Sequence, residues 1–132
     1  MRSTSRTPRP AAAFTAAADA LLILVFAAIG RDAHARGDII TGVFATAWPF
    51  LAGAAIAWLA ARVWRAPLAL WPSGVAVWIG AVAGGMLLRA VTGQSVVLPF
   101  VIVALISLAL FLLGYRGIIA LVTRFRASRP RA

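Results

Sequence analysis

Apolar residues in this chain fall into four long blocks, at residues 14–30, 39–61, 72–90 and 96–115. Each block comes close to the ~20 residues that a helix needs to cross the hydrocarbon of a bilayer. The pattern predicts an all-α, four-helix transmembrane bundle over residues 11–116. It is flanked by a disordered basic tail at residues 1–10 and a basic, partly amphipathic extension at 117–132. The tail, made of Ser, Thr, Arg and Pro, has no apolar face to bury. Pro10 suits a first helical turn, where its missing N–H has no partner to lose.

Within the blocks, a few residues modify a plain apolar helix. Pro49, near the middle of the second, removes one backbone donor and frees the Ala45 carbonyl, which predicts a kink in that helix. In lipid the freed carbonyl needs a new partner, from Thr46 or a neighbouring helix. Gly80 and Gly84 form a G-x-x-x-G pair in the third block, while Gly42, Thr46, Gly53 and Ala57 recur near helical spacing in the second. Small residues let helix backbones approach, so the second and third helices should pack closely. The fourth block is apolar all round and is the candidate lipid-facing helix. Beyond Arg116, the run 117–125 either prolongs that helix or lies flat as an amphipathic segment.

Charge then supplies an orientation. The chain holds 13 basic residues, all arginine, against 3 acids, for a net charge of +10. Arg2, Arg6, Arg9, Arg62, Arg65, Arg116, Arg124, Arg126, Arg129 and Arg131 fall on one side of the predicted spans, and only Arg31, Arg36 and Arg89 on the other. Positive charge concentrates in cytoplasmic loops, so both termini are expected in the cytoplasm and the protein in the inner (plasma) membrane. Because these arginines flank apolar spans, anionic lipid headgroups are the expected partners and nucleic acid is not. Trp58, Trp64, Trp71 and Tyr115 would form an aromatic belt at the same interface. Residues 2–9, 20–29 and Ala33-His34-Ala35 also mimic a secretory signal with a cleavage site. Cleavage would leave three spans, but Arg31 and Asp32 crowd the site with charge.

Chemistry-bearing side chains are scarce: there is no cysteine, lysine or glutamate. Disulfides and thiol catalysis are therefore excluded, and no cofactor or enzymatic activity is expected. Asp19 lies inside the first apolar block, where a central carboxylate costs about 2.5–3.5 kcal/mol on insertion scales. The candidate intramembrane polar site is Asp19 with Thr15, one turn earlier on the same face, and the Trp78 indole. Arg62 and Ser73 are further donors. A candidate external polar cluster comprises Arg31, Asp32, His34 and Arg89, with Asp38 and Gln94 nearby. Arg89 would either snorkel to the headgroups or pair with Asp32. A lone histidine with two carboxylates on a loop does not make a metal site.

Several fragments together resemble a known family. Gly30-Arg31-x-x-His34, Thr46-Ala47-Trp48-Pro49-Phe50, Met86-x-x-Arg89 and Phe100-Val101-Ile102-Val103-Ala104 are similar to the prokaryotic membrane proteins grouped as domain of unknown function 3054. The similarity covers about residues 19–116 and implies a retained first helix and four spans. It implies no activity, substrate or cofactor.

The leading functional expectation is a non-catalytic membrane protein that acts by assembly, as a homo-oligomer or with another membrane protein. The alternative is a small ion- or proton-coupled transporter or channel using Asp19, with Trp48, Pro49 and Trp78 lining a passage. A third reading is electrostatic lipid binding through the arginines.

Overall fold

In the computed structural model the described residues are 9–32 and 38–128, with side chains described for 11–30, 38 and 40–128. Residues 1–8, 33–37 and 129–132, which include most of the N-terminal tail, the last four residues of the C-terminal extension and His34, lie outside them. Among the described residues every regular element is helical.

Four helices are long and apolar enough to cross a membrane. They are α1 (Arg9–Asp32), α2 (Ile39–Ala60), α3 (Leu70–Val91) and α4 (Leu98–Ser128). Their outer surface is apolar: Leu21, Ile56, Leu59, Leu87 and Leu110 are all well exposed. In water so much exposed apolar surface would be a liability, whereas in lipid it is the solvent-matched face. The protein is thus a multi-pass membrane protein built as a four-helix bundle.

Helix boundaries follow local chemistry. Asp38 caps α2: its carboxylate accepts from the Ile40 N–H at 3.2 Å and from Thr41 Oγ1 at 3.3 Å. An acid that the sequence places beside the external polar cluster thereby satisfies a helix end. Trp71 is extended (φ −122°, ψ 131°), the conformation favoured before proline, so regular helix in α3 begins at Pro72. Two wide turns of π type interrupt regular winding, at Gly80–Gly84 in α3 and at Ala109–Leu113 in α4.

The expected close approach of α2 and α3 is present. A Cβ built on Gly53 would run into the Gly80 carbonyl oxygen, and one on Gly80 into the Ala57 methyl. Both positions therefore require glycine on packing grounds alone. Gly84 faces Gly53 and Gly85 faces the Phe50 ring, which continues the antiparallel seam.

Pro49 is fully buried within an unbroken α2. The carbonyl that it frees, Ala45 O, is met by Gln94 Nε2 at 3.5 Å, the long limit of a hydrogen bond, while Thr46 Oγ1 donates to Gly42 O instead. The partner comes from the α3–α4 loop.

Phe26, Phe50 and Phe100 unite α1, α2 and α4. Phe26 meets Phe50 edge to face at 5.3 Å, and Phe100 lies 6.1–6.3 Å from both. Although α4 faces outward for much of its length, Ala104, Leu108, Leu112 and Arg116 form a buried stripe at intervals of four. Its 31 residues form one continuous helix, so the extension prolongs α4.

Candidate functional site

Asp19 stands eight residues, or ~12 Å, inside the apolar span that starts at Ala11. It is only 2% exposed. Among the described residues no cation on α1, α2 or α3 answers it. The partner is Arg116, the last residue of the buried stripe of α4. Nη1 donates to Asp19 Oδ1 at 2.8 Å and Nη2 to Oδ2 at 2.8 Å, a bidentate pair in which the arginine is fully buried. This fork geometry is the strongest way to match a carboxylate to a cation.

Two aromatic donors complete the carboxylate's shell. Tyr115 Oη donates to Oδ1 at 2.6 Å, and Trp58 Nε1 on α2 donates to Oδ2 at 3.0 Å. Arg116 uses its remaining reach for backbone: Nε donates to Pro67 O at 2.9 Å and Nη1 to Leu112 O at 3.0 Å. Leu112 lies in the wide turn Ala109–Leu113, and Pro67 in the connection between α2 and α3. One ion pair thus ties together α1, α2, α4 and the connecting loop. Gly74 leaves room for it, since a Cβ there would stand 3.0 Å from Arg116 Cδ.

The contact also fixes relative direction. It sets the first half of α1 beside the last part of α4, while Phe26 and Phe100 join the opposite ends, so both termini emerge on one face.

Of the expected intramembrane partners, Thr15 is buried on α1 but its Oγ1 donates to Ala11 O at 2.7 Å. Trp78 Nε1 donates to Leu105 O at 2.9 Å and joins α3 to α4 rather than to Asp19. Arg62 is exposed in a left-handed conformation (φ 51°), and Ser73 is buried at the start of α3. The groups that do bind Asp19 had been assigned by sequence to the charged rim and the aromatic belt. One signal pointed to Arg116: it ends an unbroken apolar run at the i+4 spacing of Ala104, Leu108 and Leu112. Trp48 is 40% exposed on the outer surface and Pro49 is buried.

On the opposite face, Arg89 is 9% exposed and neither reaches outward nor stands alone. Its Nε and Nη2 donate to Ser95 O at 3.2 and 2.9 Å, Nη1 donates to Gln94 Oε1 at 2.9 Å, and its guanidinium lies 4.6 Å over the Phe100 ring. It braces the α3–α4 loop. The backbones of Arg31 and Asp32 end α1, but their side chains, like all of His34, lie outside the described residues. Among the described residues no group of three or more His, Cys, Asp or Glu could hold a metal.

A groove of ≈ 370 Å³ runs beside the ion pair between α1 and α2. Ala16, Ala20, Ala54 and Ala55 line it, with Asp19 and Trp58 at its polar end.

Four apolar helices, joined among the described residues by a saturated ion pair, define the class: an integral membrane protein with a buried polar site. The chain belongs to the family described as protein of unknown function, DUF3054, whose family model matches residues 16–119. That stretch contains both Asp19 and Arg116. No curated protein and no solved structure matched the chain.

Proposed function

We propose that the protein is a non-catalytic component of the inner (plasma) membrane that acts through assembly, with itself or with another membrane protein, and keeps both termini in the cytoplasm. The observation that carries this reading is the saturation of Asp19. A carboxylate that couples ion movement must exchange its proton or cation, yet this one accepts four hydrogen bonds, two of them from a fully buried guanidinium. Releasing it would strand Arg116 uncompensated in an apolar interior. The pair is better suited to clamping helices than to carrying charge.

Ala16 and Ala55, the exposed alanines of the groove between α1 and α2, support assembly, because small residues facing lipid allow a further helix to approach closely. The cytoplasmic placement rests on the arginine bias across the spans.

Purified protein in proteoliposomes tests the proposal. Cation and proton gradients should drive no flux, and Ala16→Leu with Ala55→Leu, which fill the exposed side of the groove, should change the oligomer distribution measured by cross-linking in the bilayer. Gradient-driven flux that disappears in Asp19→Asn, from protein that remains folded, would establish the transporter reading instead.

A further inference from the structure

The hydrocarbon of a bilayer, ~30 Å thick, accommodates about 20 helical residues. Counted from Leu98, it ends near Gly117, and α4 continues to Ser128. The overhang has a pronounced two-sided character. Ile118, Leu121, Val122 and Phe125 follow i, i+3, i+4, i+7 spacing, form one apolar stripe and are each well exposed, while Arg124 and Arg126 supply positive charge. A straight overhang holds that stripe in water, and an amphipathic helix of this composition is stable where lipid covers the stripe.

Gly117 sits where a joint would be needed. It directly follows Arg116, which is anchored to Asp19, and a Cβ at Gly117 would meet nothing within 4 Å. Packing does not require glycine there, yet glycine loosens a helix relative to alanine. The span is therefore pinned immediately before a flexible residue and free immediately after it.

We infer that residues 118–128 form an arm that bends at Gly117 and lies on the adjoining bilayer face when that face carries anionic lipid, apolar stripe inward and Arg124 and Arg126 against the phosphates. The charge pattern selects this occupant. Residues 39–132 contain no acid, so a second copy of the arm offers no group to pair with these arginines and would set like charges together. The bilayer is already within reach because the arm is attached to a span.

The chain contains no cysteine, so a single Leu121→Cys places one environment-sensitive fluorophore on the stripe of the full-length protein. The labelled protein is reconstituted into phosphatidylcholine alone and into equal parts phosphatidylcholine and phosphatidylglycerol. The label should be shielded from an aqueous quencher in the anionic bilayer and open to it in the neutral one. Arg124→Gln with Arg126→Gln should lower the shielded-to-open ratio roughly fivefold per arginine. Gly117→Ala should lower it as well, whereas Gly114→Ala, placed before the pinned residue and equally free of neighbours, should not. Equal quenching or equal shielding in the two bilayers would overturn the inference. So would shielding that rises with protein density and brings label-to-label energy transfer, the signature of a second copy.

Discussion

Arg116 and Arg89 are both arginines buried in an apolar bundle, one toward each face, and they are stabilised by opposite means. Arg116 meets a full negative charge 97 positions away in sequence and joins α1 and the α2–α3 connection to α4. Among the described residues Arg89 meets carbonyl and amide oxygens five and six residues away, together with an aromatic ring. Removing Arg116 leaves an orphaned carboxylate in the interior; removing Arg89 leaves neutral acceptors among the described residues. The same residue type thus fixes the bundle at one end and tidies a turn at the other.

The widest separation between the two should come from single removal. Arg116→Leu is expected to destabilise the protein by about 3–5 kcal/mol, the cost of breaking a buried pair, read as unfolding in reconstituted bilayers. Should that loss be no greater than the loss in Arg89→Leu, the contrast fails. Replacing both partners, Asp19→Leu with Arg116→Met, should recover most of the deficit, because an apolar substitute for a buried pair is often neutral or better. No recovery would mean that the pair does more than hold helices.

Smaller effects sharpen the picture. Tyr115→Phe removes one of four donors to the carboxylate and should cost about 1.5–3 kcal/mol. Arg89→Leu should cost about 1 kcal/mol, since the Ser95 carbonyl loses its donor while burial of a cation is relieved. Its consequence should be local, visible as faster amide exchange in residues 92–97 with the rest of the chain unchanged. Finally, unfolding measured from low to high salt should hardly move, because a fully buried pair is poorly screened; a strong salt dependence would place Asp19 and Arg116 in water.

The bundle was legible because block length and hydropathy act locally: each span announces itself without reference to the others. Close approach of α2 and α3 was legible for a similar reason, through Gly53, Ala57, Gly80 and Gly84. Asp19 stood out as a polar residue in an apolar block, and the carbonyl freed by Pro49 was foreseeable from proline's geometry. The partners were not. Whether Arg116 faces lipid headgroups or a helix interface depends on rotation of α4 about its own axis, which hydropathy leaves undetermined in a helix apolar on every side. The wide turns in α3 and α4 lie equally beyond reach, because each shifts the face of everything after it without leaving a mark in composition. Charge counting placed Arg116 and Arg124 in one group, although one is fully buried and the other exposed.

The sequence distance between Asp19 and Arg116 bears on biosynthesis. A ribosome supplies the acid with the first helix and its counter-charge only with the fourth, so during most of translation Asp19 must remain wetted or shelter in the insertion machinery. Closure of the bundle therefore waits for the last span, and a polypeptide truncated before Arg116 would carry an unanswered carboxylate as a sign of incompleteness, open to recognition by membrane quality control.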